Sequence, residues 1–198
     1  MSARRARRGA LAGAALVAAL AVFGGHAAAG GGFDGPTIKD PRLTPDFALP
    51  DQTGRRIELY RLHGKVVLLT FLYTHCPDAC PLTAERLNVA LRSLGSARTR
   101  VAVVVVSVDP KGDTRASVRA FFATHQLLPE WHYLTGSDAL LAPIWQAYGV
   151  KSAARAGDRV DHTLYTLLLD KHGLSRVLYD STASARFVAH DIRVLLAS

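Results

Sequence analysis

The sequence predicts an α/β sandwich built around a central mixed β-sheet. Two uninterrupted apolar runs rich in β-branched residues, at 65–72 and 100–109, are typical of strands buried on both faces. Segments with helical spacing of apolar residues separate the runs, so we expect these core strands to be parallel. Two later apolar runs joined by KHG at 171–173 predict a C-terminal β-hairpin. The hairpin adds antiparallel strands, which makes the sheet mixed.

The individual elements follow from periodicity and from start and stop signals. The predicted strands lie at 55–60, 65–72, 100–109, 131–135, 163–170 and 174–180. The predicted helices, which flank the sheet, lie at 82–95, 113–125, 137–149 and 183–197.

Several residues support these boundaries. Pro81 suits the first turn of a helix, where its missing N–H costs nothing. Asp113 or Thr114 is expected to cap the second helix. Pro143 should kink the third helix or mark its true start. The polar stretch at 151–162 predicts a loop. The complete order is that of a thioredoxin-like fold, in which the turn after a central strand carries the chemistry.

The N-terminal 29 residues predict export from the cytoplasm. A basic start, MSARRARR, precedes an uncharged apolar run, and small residues at 27–29 fit a cleavage site. Residues 1–29 are therefore expected to be a signal peptide or an uncleaved N-terminal membrane anchor. Residues 30–44, rich in Gly and Pro, predict a linker, and 45–198 form the folded domain. Both alternatives place the domain outside the cytoplasm, in the periplasm, either soluble after cleavage or anchored.

The net charge of +8 is partly a property of that N-terminal segment. Its arginines, Arg4, Arg5, Arg7 and Arg8, supply four of the 24 basic residues. The remaining excess over 16 acidic residues is mild, and no basic stripe with interleaved aromatic residues is present. Nucleic acid is therefore not an expected partner, and membrane contact is expected only through the N-terminal segment.

The only two cysteines, Cys76 and Cys80, stand in THCPDACP directly after the first central strand. An exported pair would by default form a disulfide bond, but so short a loop is a poor structural staple. The predicted position at a helix N-terminus lowers a thiol pKa and favours the thiolate. Thiolates are needed for redox exchange and for metal binding. The pair is therefore a redox couple or a metal clamp.

A third ligand would distinguish these uses. Two thiolates and one imidazole suit copper in either oxidation state and also bind zinc. Among eight histidines, His162 is the candidate, because it stands where a polar loop enters an apolar strand. A lone histidine at a strand start is usually structural, so the residues alone leave its role open. The only methionine is Met1, which excludes a copper site with a thioether ligand in the domain.

Four motifs together resemble the Sco/SenC family over about residues 44–196. They are the lead-in FALPDQTGRRIELYRLHGKVVLLTF, then FLYTHCPDACP, SVDPKGDT and VDHTLYTLLLD. The resemblance implies a thioredoxin-like domain that binds one copper ion through Cys76, Cys80 and His162. It also places Asp78 and Asp109 near the site, as residues that support the ligands. Their local alternatives are a helix-start residue for Asp78 and a strand end before a turn for Asp109.

The same resemblance implies a function. Members of the family resemble copper chaperones and support maturation of the dinuclear copper site of cytochrome c oxidase. They deliver copper, reduce the cysteines of that site, or do both. The expected partners are the copper-receiving subunit of the oxidase and a second periplasmic copper chaperone. Zinc is expected to act as a surrogate ion.

Two enzymatic functions are alternatives to a copper-binding protein. A thiol-disulfide oxidoreductase that reduces the cysteines of a partner remains open, although three intervening residues depart from the usual two. A peroxidase of the peroxiredoxin kind is disfavoured. Leu69 and Tyr73 stand where such enzymes usually place Pro and Thr or Ser.

Overall fold

The computed structural model describes residues 32–154 and 160–198, with side chains at 32–151 and 163–198. The strands are β1 Ala48–Pro50, β2 Arg56–Glu58, β3 Val66–Leu72, β4 Val101–Ser107, β5 Trp131–Leu134, β6 Ser152–Ala154, β7 Val160–His162, β8 Thr166–Leu169 and β9 Ser175–Tyr179. The helices are α1 Ala79–Ser93, α2 Arg115–Thr124, α3 Asp138–Ala147 and α4 Ala185–Ala197, with short 3-10 turns at Leu59–Leu62 and Gly95–Arg100.

The main sheet has five strands in the order β5-β4-β3-β8-β9. β3 pairs in parallel with β4, and β4 pairs in parallel with β5. β8 runs antiparallel to both β3 and β9. Every residue of β3 and β4 is buried, as their continuous apolar runs indicate. The α/β thioredoxin-like fold, with parallel core strands and a closing hairpin, is confirmed.

Helix α1 begins at Ala79, three residues before the predicted start at 82. Its first turn therefore includes Cys80 and Pro81. N–H groups of a first turn have no partner within the helix, so Pro81 removes no intrahelical bond. Leu91, Leu87 and Ala84 supply part of the buried face, and α1 packs against α4. The earlier start puts Cys80 on a rigid element.

One local expectation is corrected, and one pair of alternatives is resolved. The stretch 151–162, predicted as a polar loop, contains β6 and β7, which pair antiparallel with Ser152 opposite His162. Strands of three residues with polar character give no periodic signal, so the sequence could not indicate them. The cap of α2 is Thr114, whose hydroxyl accepts from the Ser117 N–H at 3.1 Å. Asp113 is not the cap, because its carboxylate is buried and bonded elsewhere.

Pro143 lies inside α3 and does not mark its start. The helix begins at Asp138 with Ser137 in the N-cap position, although the Ser137 side chain makes no capping hydrogen bond. One of the two predicted outcomes for Pro143, a helix that starts there, is therefore wrong.

Residues 32–44, expected as a linker, lie along β9. The Ile38 N–H donates to the Arg176 carbonyl at 2.8 Å, and the Ser175 N–H donates to the Arg42 carbonyl at 3.0 Å. Thr37 and Val177 form an isolated antiparallel bridge. We call residues 32–44 the N-terminal strap. Residues 1–31, which hold the expected signal peptide or anchor, lie outside the described residues.

A buried carboxylate fastens the start of this strap. Asp191 of α4 is fully buried and accepts from the Asp34 N–H at 2.6 Å and the Gly35 N–H at 3.0 Å. The Tyr179 hydroxyl donates to the same carboxylate at 2.7 Å. A Cβ at Gly35 would overlap the Tyr179 ring and lie 2.7 Å from Val177 Cγ1. Glycine at this position therefore lets the strap approach β9 closely.

Replacement of Gly35 by alanine tests this packing. Gly35→Ala should lower the free energy of unfolding by about 1–3 kcal/mol, because the added methyl group overpacks a filled site. The measurement is urea unfolding of the full chain. Gly32→Ala is the matched control, because a Cβ there meets nothing within 4 Å. A Gly35→Ala protein as stable as the Gly32→Ala protein would contradict the packing of the strap.

Candidate functional site

The two cysteines lie at the junction between β3 and α1. β3 ends at Leu72, and a short turn leads through Cys76 to the start of α1 at Ala79. Cys76 is half-buried, and Cys80 in the first helical turn is fully buried. The Cys80 N–H donates to Cys76 Sγ at 3.4 Å, and no disulfide joins the two sulfurs. Cys76 is thus partly accessible to solvent, whereas Cys80 is enclosed by the core.

The two sulfurs have opposite acidities. The pKa of Cys76 is lowered to about 5, chiefly because the Cys80 thiol donates a hydrogen bond to its sulfur. Backbone N–H groups of Asp78 and Cys80 and the Tyr73 hydroxyl also stabilise the thiolate, whereas partial burial opposes it. The pKa of Cys80 is raised, because that hydrogen bond and burial favour its protonated form. At neutral pH the pair therefore holds one proton.

The family resemblance predicted that Asp78 and Asp109 lie near the cysteines. Asp78 is exposed at the N-cap position of α1, and its side chain makes no capping hydrogen bond. Asp109 follows β4 and is half-buried, with its carboxylate accepting from the Gly112 N–H at 2.9 Å. Ligand atoms of Asp109 and His75 lie within 4.8 Å of each other. Gly112 lies beside both residues, since a Cβ there would overlap the Asp109 carboxylate and lie 3.1 Å from His75 Nδ1. Asp109 therefore neighbours the residue that precedes Cys76.

Asp113 is the residue that sequence reasoning missed. It is buried, and its carboxylate accepts hydrogen bonds from Thr74, Ser107 and Tyr133. Burial raises the pKa of Asp113, and those hydrogen bonds oppose the rise. Its charge also raises the pKa of Cys80. No local signal in the sequence singles out this role, because Asp113 and Thr114 both satisfy the rule for a helix cap.

His162 ends β7 and pairs with Ser152 of β6. Hydrogen bonds hold the segment that follows, residues 163–165. The Thr163 N–H donates to the Lys151 carbonyl at 3.2 Å, and the Tyr165 hydroxyl donates to the Tyr148 carbonyl at 2.6 Å. β8 then pairs with β3 through Thr166 and Thr70. Because β8 is antiparallel to β3, its start lies at the end of the sheet from which the cysteine turn emerges.

The comparison with known families agrees with this geometry. The sequence model of the SCO1/SenC family matches residues 35–197. The chain belongs to the SCO1/SenC family. The match begins at Gly35, whose N–H donates to Asp191, so residues 35–44 of the N-terminal strap lie within the matched region.

Individual relatives give the same picture. The mitochondrial SCO2 homologue of Bos taurus is 32% identical over 160 residues, which covers 77% of this chain and 59% of that protein. The SCO1 homologue of Bacillus subtilis is 31% identical over 106 residues, which covers 52% and 54%. The chain thus spans about three fifths of the length of the mitochondrial relative it matches.

Two solved Sco structures share the fold over nearly their whole length. Bradyrhizobium japonicum ScoI with copper bound has a TM-score of 0.69 and 29% identity, and covers 78% of this chain and 99% of that chain. Apo Sco1 from Thermus thermophilus has a TM-score of 0.71 and 32% identity, and covers 83% and 97%. Across the described part of this chain, no helix combines the length and apolar character needed to cross a bilayer.

The acidity of Cys76 gives a direct test in the reduced, metal-free protein. Iodoacetamide should alkylate Cys76 at a nearly constant rate above about pH 6, and the rate should fall as the pH drops through about 5, because only the thiolate reacts. Peptide mass spectrometry measures the rate at each cysteine. Cys80 should stay unlabelled until the protein unfolds. A Cys76 rate that still rises through about pH 8.5, as for an ordinary thiol, would contradict the lowered pKa.

Proposed function

We propose that this protein is an extracytoplasmic copper chaperone that binds one copper ion through Cys76, Cys80 and His162. It supports maturation of the dinuclear copper site of cytochrome c oxidase. The observation that carries the proposal is the pair of sulfurs at the β3–α1 junction, which no disulfide joins and in which the Cys80 thiol donates a hydrogen bond to Cys76 Sγ. The copper-bound ScoI relative supports copper as the ion.

The donor set fits copper chemically. Thiolates are soft ligands that select Cu(I), and an added imidazole also accommodates Cu(II). Tetrahedral zinc accepts the same ligand types, so zinc is expected to act as a surrogate. The domain contains no methionine, since the only one is Met1. The two cysteines are therefore its only source of soft sulfur ligands.

Copper binding at both sulfurs would displace the proton of Cys80. Burial and the hydrogen bond to Cys76 hold that proton in the metal-free protein. A soft cation between the two sulfurs replaces the attraction that the proton supplies, so binding should release a proton and strengthen as the pH rises. Asp109 lies beside His75 and close to the turn, where its charge favours a cation.

The N-terminal sequence supports the location. The basic start and apolar run at 1–29 act as a signal peptide or as a membrane anchor, and both place the domain in the periplasm. The copper-receiving subunit of cytochrome c oxidase is the proposed partner, and a second periplasmic copper chaperone is the proposed donor. Nucleic acid has no part in this function.

Ligand substitutions test the copper proposal. Cys76→Ser, Cys80→Ser and His162→Ala should each lower the Cu(I) affinity of the reduced full chain by more than about 100-fold. Loss of a residue that only supports a metal ligand lowers affinity by up to about 100-fold, and loss of a ligand itself should lower it further. Competition with a chromophoric chelator measures the affinity. Added Cu(II) should give thiolate charge-transfer colour that each substitution removes.

The matched control is His172→Ala, because His172 is an exposed histidine in the turn between β8 and β9. It should bind copper as the parent chain does. Full copper affinity in His162→Ala would defeat the three-ligand proposal and leave a site of two thiolates.

A second function is favoured by the unequal sulfurs. The half-buried Cys76 thiolate can attack a partner disulfide, which forms a mixed disulfide and releases one partner thiolate. Cys80 then passes its proton to the partner thiolate already released and attacks Cys76 Sγ, which breaks the mixed disulfide and releases the second partner thiolate. The partner gains two electrons, and Cys76 and Cys80 become a disulfide. The protein would thereby reduce the cysteines of the oxidase subunit before copper arrives.

Trapping tests this exchange. In Cys80→Ser the second step cannot occur, so the reduced variant should accumulate a mixed disulfide with an oxidised peptide that carries the partner's cysteine pair. Non-reducing electrophoresis and mass spectrometry detect the adduct, and Cys76→Ser is the control that should form none. An absence of adduct in Cys80→Ser, with parent protein that leaves the peptide oxidised, would exclude the exchange function.

A further inference from the structure

The carboxylate of Asp113 ties three strand ends together. Its Oδ1 accepts from the Thr74 N–H at 2.8 Å and from the Thr74 hydroxyl at 2.8 Å. Its Oδ2 accepts from the Ser107 hydroxyl at 2.6 Å and from the Tyr133 hydroxyl at 2.9 Å. Thr74 follows β3, Ser107 ends β4, and Tyr133 belongs to β5. One buried side chain thus joins the cysteine turn to the two neighbouring parallel strands.

The same hydrogen bonds argue against a second metal ion nearby. Ligand atoms of His75, Asp109 and Asp113 lie within 4.8 Å of one another, as a cation site would require. A carboxylate can accept about four hydrogen bonds, and the carboxylate of Asp113 already accepts four from protein donors. The Asp109 carboxylate also accepts from the Gly112 N–H. The cluster is therefore an internally bonded support.

The other hydrogen bonds of the turn are longer or have the Cys76 sulfur as their acceptor. The Cys76 N–H donates to the Tyr73 carbonyl at 3.4 Å, and the Cys80 N–H reaches Cys76 Sγ at 3.4 Å. Pro77 has no N–H to donate. Bonds from Thr74 to a carboxylate are shorter and, when the acceptor is ionised, stronger than neutral ones. Within residues 74–78, the Thr74 N–H makes the shortest backbone hydrogen bond to an oxygen, with Asp113 at 2.8 Å.

The partners of Asp113 Oδ2, which are Ser107 and Tyr133, are themselves held in the core. Ser107 is fully buried, and its hydroxyl also accepts from the Asp109 N–H at 3.1 Å. Its carbonyl accepts from Trp145 Nε1 of α3 at 2.9 Å. Tyr133 is fully buried in β5. The Oδ2 side of Asp113 is therefore fixed in the core, and the Oδ1 side reaches out to the turn.

We infer that Asp113 is a positioning residue for Cys76, which it holds through Thr74, two residues earlier in the turn. The inference rests on the proposed function, because the position of Cys76 sets the sulfur arrangement that a copper ion meets. Asp113 does not itself contact the ion. Its loss should disturb the geometry of the thiolate and leave both sulfurs present.

The test uses the reduced full chain and three substitutions. Asp113→Ala removes every bond of the carboxylate, and Asp113→Asn keeps an amide oxygen that can still accept from Thr74. Thr74→Val removes only the hydroxyl that reaches the carboxylate, so it informs even where Asp113→Ala fails to fold. The readouts are Cu(I) affinity, the energy of the Cu(II)–thiolate charge-transfer band, and the alkylation rate of Cys76 without metal.

Asp113→Ala should lower Cu(I) affinity by about 10-fold to 100-fold, as outer-shell losses do. Asp113→Asn should recover part of that loss, and Thr74→Val should show a loss of about 10-fold. The shifts of the charge-transfer band and of the Cys76 alkylation rate should rank the three variants in the same order as their losses of Cu(I) affinity. These are readouts that a general loss of stability does not move.

Asp170→Ala is the matched control. Asp170 is also buried and accepts from the His172 N–H, the Leu174 N–H and Arg176 Nη1, but it lies at the opposite end of β8. Its loss should lower stability and leave all three readouts unchanged. Parent values in both Asp113→Ala and Thr74→Val, or equal shifts in Asp170→Ala, would overturn the inference.

The metal-free alkylation rate separates this inference from the proposed function. Should the parent chain fail to bind copper, the proposed function is wrong. A change of alkylation rate in Thr74→Val and Asp113→Ala would still support the positioning role in that case. Unchanged alkylation rates together with normal copper binding in the parent chain would refute the positioning role alone.

Discussion

The antiparallel pairing of β8 with β3 is the constraint on which the candidate site depends. The cysteines and His162 are far apart in sequence, and this pairing is what brings their segments to one end of the sheet. Thr70 of β3 pairs with Thr166 of β8, and the Thr70 hydroxyl also donates to the Tyr165 carbonyl at 2.9 Å. A slip of one residue would turn every side chain of β8 to the other face, so burial of the strand enforces the register.

The contrast between the two sulfurs follows from where α1 begins. Because the helix starts at Ala79, Cys80 points from a rigid first turn into the core, whereas Cys76 stays in the turn before it. The N–H groups near the helix start and the Cys80 thiol stabilise charge on Cys76. Burial then keeps the proton on Cys80. A start three residues later, as the periodicity suggested, would have left both sulfurs in a loop.

Sequence reasoning predicted the parts of the fold that carry strong periodic or compositional signals. The apolar runs of β3 and β4 gave the buried parallel strands, and KHG gave the hairpin. The cysteine pair was found because Cys76 and Cys80 are the only cysteines in the chain. Segments whose structure depends on tertiary contacts could not be predicted from local sequence patterns. β6 and β7 are too short to show a period, and the strap at 32–44 is ordered through Asp191, which lies far along the chain.

Asp113 shows the same limit within the site. An aspartate before a helix satisfies the local rule for a cap, so local reasoning has no cause to look further. Only the sheet order reveals that Thr74, Ser107 and Tyr133 converge on its carboxylate. Asp109 was placed near the site by resemblance to a family, and its proximity to His75 depends on the missing Cβ of Gly112.

The two proposed functions share one chemical requirement, which is removal of the proton from Cys80. In copper binding the incoming ion replaces that proton between the sulfurs. In thiol exchange the proton leaves when Cys80 attacks the mixed disulfide on Cys76. Because Cys80 is fully buried, both reactions must begin at Cys76, and the second sulfur joins only after the first has engaged. Metal binding and disulfide formation are therefore alternative reactions that both begin at the Cys76 thiolate. Which of them follows depends on whether a copper ion or a partner disulfide reaches Cys76 first.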